Sequence, residues 1–156
     1  MTNEYFEDIY KRRADMVYRV CFSYMKNAPE AKDAVADVFI KLLKKGITFE
    51  SEEHEKAWLL RTAINHCKNT LRLWWRKSVN IDDYQNLESE PLKDNHILET
   101  VLTLPERYKE VIYLYYYEGY ATDEIANLLQ KPHSTIRNHM SEARRMLKEI
   151  LEDEEQ

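Results

Sequence analysis

The chain of 156 residues has only two glycines, four prolines and two cysteines. So few turn-forming and helix-breaking residues exclude an all-β fold, with its frequent tight turns, and leave room for long helices. Two cysteines also exclude a small disulfide-built scaffold. Cys21 and Cys67 both fall in the apolar phase of a helical pattern, so they read as buried free thiols in a reducing compartment. No run of about 18 apolar residues occurs, and the opening MTNEYFEDIY is acidic where a secretory signal would be basic and then apolar. The expectation is a soluble, cytoplasmic chain with no membrane insertion.

Chemistry-bearing clusters are equally scarce. The chain has no Gly-rich phosphate loop, nucleophile–base pair or carboxylate–histidine cluster, so it reads as no enzyme and implies no cofactor. His66 beside Cys67 is a tempting pair of metal ligands. Neighbours on a helix point about 100° apart, however, and no second pair supports them, so no metal is assigned.

Apolar residues make up 44% of the chain and aromatics 12%, enough for compact cores. The net charge of −5 argues superficially against a nucleic-acid partner, but its distribution argues otherwise. Residues 61–77 carry Arg61, Lys68, Arg72, Arg76 and Lys77 with no acid among them. Residues 131–148 carry Lys131, Arg137, Arg144, Arg145 and Lys148 against Glu142 alone. Acid is concentrated in residues 78–95 and in the tail from Glu149 to Glu155. Basic faces therefore exist despite the total.

Apolar periodicity predicts three helices in the first half. Residues 4–26 recur at Phe6, Ile9, Tyr10, Met16, Val17, Val20, Cys21 and Tyr24, with Lys11, Arg12 and Arg13 read as a solvated charged turn. Residues 29–45, opened by Pro29, bury Ala31, Ala34, Val35, Val38 and Leu42 and turn Asp33, Asp37, Lys41 and Lys44 outward. After a loop, Gly46 to Glu53, residues 54–77 carry a stripe of Ala57, Leu60, Ala63, Ile64, Cys67, Leu71 and Trp74. The other faces of that helix interleave amides with cations: Arg61, Asn65, Lys68, Asn69, Arg72 and Arg76. Such a surface suits a helix lying along DNA, where cations meet phosphates and amides meet bases. Residues 78–95 lose the period, contain Pro91 and read as an acidic linker.

The second half is organised around YATDEIANLLQKPHSTIRNHMSEARRML, residues 120–148. Its apolar positions form two short helices broken at Gln130–Lys131–Pro132. The first buries Ile125, Ala126 and Leu129; the second buries Ile136, Met140, Ala143 and Leu147. Ala126 is small where the second helix must cross closely, which is the pattern of a helix-turn-helix. The opening residues of the second helix, Ser134, Thr135, Arg137, Asn138 and Ser141, then reach base edges, and Arg144, Arg145 and Lys148 reach phosphates. The rival readings are a stand-alone dimeric repressor and a helical protein-interaction module. The basic helix at 57–77 and the acidic linker are surplus to the first, and the segregation of basic charge speaks against the second.

The segment LPERYKEVIYLYYYEGYATDEIANLLQKPHSTIRNHMSEARRMLKEIL resembles the C-terminal promoter-binding domain of bacterial sigma factors of the extracytoplasmic-function subgroup. Leu104, Pro105, Val111 and Ile112 carry the pattern that leads into the helix-turn-helix. Upstream, AWLLRTAINHCKNTLRLWWRK at 57–77 resembles the family's N-terminal domain helix that meets the other promoter element. The resemblance runs from about residue 5 to 151. It implies an all-α protein of two small helical domains, at 1–77 and 96–156, joined by the linker at 78–95. It implies a transcription initiation factor whose partners are core RNA polymerase and promoter DNA, with polymerase contact through Asp33, Asp37 and Lys41. The 46–53 loop would capture a base flipped from the melted strand, with Phe49 as its stacking residue, and the linker would thread into polymerase. An anti-sigma partner is common in the family and leaves no readable mark in this sequence.

The chain departs from the family pattern at four places. Ala121 stands where a capping Ser is usual, so Thr122 caps one residue later or the cap is missing. Gln130 stands at the turn glycine, at a cost of about 1 kcal/mol if a left-handed conformation is needed there. Pro132, without a side-chain acceptor, precedes the recognition helix, and Glu142 holds a position often basic in the family.

Overall fold

The computed structural model of the chain describes residues 1–76 and 96–154. They form helices and connections, grouped in two compact units, Met1–Glu90 and Pro91–Gln156. Lys77 and the linker read at 78–95 lie outside the described residues.

In the first unit, α1 (Asn3–Met25), α2 (Ala28–Lys45) and α3 (Glu52–Arg76) pack on one another. Local chemistry sets their ends. The Thr2 hydroxyl accepts from the Tyr5 N–H at 3.2 Å and opens α1. Lys26, at φ 63°, closes it by donating its N–H to the Phe22 carbonyl at 2.8 Å. Asn27 caps α2 by accepting from the Glu30 N–H at 2.9 Å, and Pro29 sits in the first turn, where a missing N–H costs nothing. Gly46, at φ 61°, ends α2 in the left-handed conformation that favours glycine. The Ser51 hydroxyl accepts from the His54 N–H at 3.0 Å, so α3 begins two residues earlier than its apolar period implies.

The core between these helices holds Ile9, Val17, Val20, Val38, Leu42, Leu59, Leu60 and Ile64, all essentially inaccessible. Each contributes about 1.5–3 kcal/mol on leaving water. Cys21 and Cys67 are both buried and free, and they neighbour one another across the α1–α3 contact. The neighbouring Cys67 thiol, together with burial, pushes the Cys21 thiol far above its ordinary pKa. The sequence places each thiol in a core; their meeting comes from the crossing of α1 and α3.

Three expectations for this unit are corrected. Tyr10 is 46% exposed and lies edge-on to Phe39, 4.9 Å between ring centroids, outside the core stripe. In α3 the buried stripe runs through Leu59, whereas Ala57, Leu71 and Trp74 are half-buried. Arg12 and Arg13 are not a solvated charged turn. Both bind Glu55, a buried carboxylate that the period of α3 gives no reason to bury.

In the second unit, α4 (His96–Leu102), α5 (Glu106–Tyr116), α6 (Thr122–Leu129) and α7 (His133–Glu154) enclose Val101, Leu104, Val111, Ile112, Leu114, Ile125, Ile136, Met140 and Ala143. Pro105 stands just before α5 and its carbonyl accepts the first helical hydrogen bonds. Leu147, expected in the core, is half-buried on the wall of an open apolar groove with Ile97, Val101 and Leu151. The α5 tyrosines divide: Tyr113 is buried and donates to Glu118 at 2.8 Å, while Tyr115 and Tyr116 are exposed.

Candidate nucleic-acid interface

The turn between α6 and α7 is built by backbone bonds around Gln130, which adopts φ 54°, ψ 48°. The Lys131 N–H donates back to the Ala126 carbonyl at 3.0 Å, closing α6 in the manner usual for a left-handed helix end. The Lys131 ammonium lies 3.2 Å from Glu110, whose side chain is 1% exposed, and ties the turn to α5. Ala121 precedes α6 without a side-chain cap, and only the reciprocal half of a capping box is present, the Ala121 N–H donating to Glu124 at 3.0 Å. Thr122 does not replace the missing cap. Its hydroxyl meets the His133 Nε2 at 2.8 Å, joining the first turns of α6 and α7.

Helix α7 turns Ile136, Met140 and Ala143 inward. Ser134, Arg137, Asn138, Ser141, Arg144, Arg145 and Lys148 are exposed and Thr135 half-buried, so the predicted DNA-facing residues share one helix and lie off its core stripe. Their electrostatics differ. Arg137 has neither an ion pair nor an aromatic contact among the described residues. Arg144 donates to the Tyr116 hydroxyl at 3.1 Å, with its guanidinium 5.5 Å from the Tyr115 ring. Arg145 is bracketed by Glu142 and Glu149, each at 2.8 Å, and the Arg145 bond holds the Glu142 carboxyl below the usual carboxylate range. Lys148 and Glu152 approach to 4.0 Å. The basic charge at the far end of α7 is thus largely matched by its own helix.

His139, half-buried beside this face, stands edge-on to Tyr108 at 5.6 Å. Burial, reinforced by the charges of Lys131 and Arg107, lowers its pKa.

In the first unit, Asn65, Asn69, Arg72 and Arg76 are exposed along α3, and Arg61 and Lys68 are half-buried. Arg72 hydrogen-bonds Asn69 one turn back. The Arg61 Nε is buried without a hydrogen-bond partner among the described residues. On α2, Asp33, Asp37 and Lys41 are exposed. His66 of α3 joins two of them: Lys41 donates to its Nδ1 and its Nε2 meets Asp37, each at 3.2 Å. Burial first, and then the Lys41 charge, lower the His66 pKa, which suits a neutral ring accepting at one nitrogen and donating at the other.

Phe49 is half-buried in the loop before α3, against His54 at 5.2 Å and Trp58 at 5.9 Å between ring centroids, and its N–H donates to the Tyr5 hydroxyl at 3.1 Å. His54 and His66 were not singled out from sequence for these placements. The signal was present for His54, an aromatic five residues beyond Phe49 and one turn before Trp58; for His66 only the α2–α3 crossing supplies it.

Residues 9–77 match the family described as Sigma-70 region 2, and residues 95–147 match Sigma-70, region 4. RNA polymerase sigma factor SigV of Bacillus subtilis is 28% identical over 142 residues, covering 88% of this chain and 86% of that protein. The ECF RNA polymerase sigma-E factor of Haemophilus influenzae is 28% identical over 139 residues, covering 77% of this chain and 74% of its own length. The fold is similar to that of the sigma factor RpoE solved with the anti-sigma factor NepR from Bartonella quintana, with a TM-score of 0.77, 23% identity, and coverage of 94% of this chain and 96% of that one. With two consecutive domains matched in order, the chain belongs to the sigma-70 family, in its extracytoplasmic-function subgroup. It is a transcription initiation factor that directs RNA polymerase to promoters.

Proposed function

We propose that the chain reads two promoter elements with two separate helical faces. The C-terminal domain, 96–156, presents Ser134, Thr135, Arg137, Asn138 and Ser141 to the major groove of the upstream element and Arg144, Arg145 and Lys148 to its phosphates. The N-terminal domain, 1–77, meets the downstream element through Arg61, Asn65, Lys68, Asn69, Arg72 and Arg76, while the loop around Phe49 assists melting. Asp33, Asp37 and Lys41 contact core polymerase. The segment at 78–95 links the domains.

The observation that carries this reading is the exposure of Arg137, Asn138 and Ser141 at the start of α7, with Ile136, Met140 and Ala143 of the same turns buried. Polar and cationic groups displayed at the entry end of a helix-turn-helix are placed to meet base edges. The chain supplies recognition and placement, and bond-making belongs to the polymerase, so it is no enzyme itself. Its site of action is the cytoplasm. The sigma factors RpoE and CnrH, similar in fold to this chain, were solved with NepR and with the cytosolic domain of CnrY, and a partner of the anti-sigma type is proposed here as well.

Run-off transcription with and without core enzyme tests the reading. Promoter-specific transcripts are expected only when chain and core are combined. Tight, specific promoter binding by the isolated chain at physiological salt would favour a stand-alone repressor instead.

A further inference from the structure

Asp37 and Lys41 stand four residues apart on α2, the spacing at which an acid and a following lysine ordinarily pair with one another. Among the described residues they meet through a third group instead. Lys41 donates to Nδ1 of His66, and Nε2 of the same ring meets Asp37, each at 3.2 Å. One neutral tautomer, with its hydrogen on Nε2, satisfies both contacts: it accepts from the ammonium and donates to the carboxylate. A direct pair would fold the two side chains onto each other and let their charges cancel. The imidazole, reaching across from α3, holds them apart as one fixed cation and one fixed anion.

The ring is anchored while its partners face solvent. The His66 side chain is 17% exposed against 53% for Asp37, and Lys41 is exposed. Ile40, 46% exposed, lies one turn from Asp37 on the same side of α2. A large apolar side chain beside fixed charges of both signs is the make-up of a protein-binding surface; a DNA-binding one is far more uniformly cationic. Long side chains held in place before a partner arrives lower the ordering cost of association.

We propose that His66 is a positioning residue for core polymerase: its neutral ring bridges Asp37 and Lys41 and presents them as two separate, pre-ordered charges. The inference rests on the reading of Asp33, Asp37 and Lys41 as the polymerase contact, and adds the residue that prepares it. It also makes docking sensitive to acid. A second proton on the ring sits on Nδ1 and meets the Lys41 ammonium donor to donor, so the Lys41 bond is lost while the Asp37 contact is kept. From α2 the ring faces Lys41 and Asp37, whose charges act on it; from α1, Arg12 and Arg13 are bound to Glu55, about three turns earlier on α3. Burial, and then the Lys41 charge, hold the ring below the ordinary histidine value of 6.5. The bridge is therefore intact at neutral pH and lost as the pH falls through that lowered value.

The test titrates the full chain, carrying a fluorophore, with core polymerase at fixed salt from about pH 8 to about pH 5.5. Circular dichroism at each pH follows the folding of every variant. The wild type should lose affinity roughly threefold to tenfold toward the acid end. His66→Leu, which removes both contacts, should be weaker by a similar factor at neutral pH. His66→Gln, with one acceptor and one donor but no titrating proton, should bind like the wild type at neutral pH and stay flat in acid. That comparison decides the matter even if His66→Leu does not fold. Asp37→Ala and Lys41→Ala probe the surface itself, and each should weaken binding. If those two weaken binding while the wild type and His66→Gln share one pH profile, the bridge plays no part and the polymerase surface stands. If Asp37→Ala and Lys41→Ala both bind like the wild type, the polymerase-facing reading of α2 fails instead.

Discussion

Glu55 of α3, 4% exposed, receives a bidentate hydrogen bond from Arg12 of α1, at 2.7 and 3.1 Å. Burial by itself would raise its pKa, but the bonds from Arg12 and Arg13 outweigh burial and hold the carboxyl below its ordinary 4.5. A carboxyl whose folded pKa is depressed stabilises the fold fully above its unfolded pKa. That stability is lost as the pH falls through the folded value.

Glu55→Gln should therefore destabilise the first unit. Removing one partner of a buried pair costs about 3–5 kcal/mol, and because Arg12 keeps partial access to water we expect the lower part of that range or slightly less. Trp58, Trp74 and Trp75 all lie in this unit, so tryptophan fluorescence in urea follows it selectively. The gap between wild type and variant should be widest at neutral pH and should narrow below pH 4.5. A gap independent of pH would show that the carboxylate charge is not what holds α1 to α3.

At the far end of α7, Arg145 is engaged on both sides by Glu142 and Glu149, and the phosphate contact proposed for it would compete with these pairs. Glu142→Gln should release the guanidinium and strengthen promoter binding by holoenzyme. The dependence of log affinity on log salt should steepen by about 0.9 if one phosphate contact is gained. Equal affinity at every salt concentration would mean that Arg145 faces away from the DNA.

Arg137 and Lys148 should separate by role. Arg137→Ala removes a potential bidentate contact with a guanine, worth about 1–3 kcal/mol of discrimination, and should relax preference at one base pair of the upstream element. Lys148→Ala should weaken all sequences alike and reduce the salt slope by about 0.9. Holoenzyme affinity across a promoter library at several salt concentrations distinguishes them. Identical base preferences for wild type and Arg137→Ala would reduce Arg137 to a phosphate contact.

Gln130 is exposed and holds a left-handed conformation that suits glycine better. Gln130→Gly should stabilise the helix-turn-helix by about 1 kcal/mol, because a side chain in that conformation crowds its own carbonyl. Amide hydrogen exchange in the core of α7 reads this locally and should slow roughly fivefold. Faster exchange would mean that the extra freedom of glycine in the unfolded chain outweighs the relieved strain.

The helices, the helix-turn-helix and the two basic segments are properties of the sequence alone, because each depends on the spacing of residues within about 25 positions of one another. Ile125, Ile136 and Met140 announce a core by their period, and Asn27, Pro29 and Gly46 mark ends by local backbone chemistry that needs no distant partner. The sequence leaves the left-handed turn at Gln130 conditional, because a residue with a side chain stands where glycine is usual, and the structure resolves it at φ 54°. What only tertiary structure decided are the pairings between elements. Glu55 looks like one more acid in the first turn of a helix until Arg12 and Arg13, more than 40 residues earlier, arrive to compensate its burial. His66 gains its two partners from the crossing of α2 with α3, and Cys21 meets Cys67 through that of α1 with α3. Arg144, basic by sequence, spends its guanidinium on Tyr116 because α5 happens to lie beside it. Periodicity records which face of a helix leaves water; it carries no information about which polar group waits on the other side.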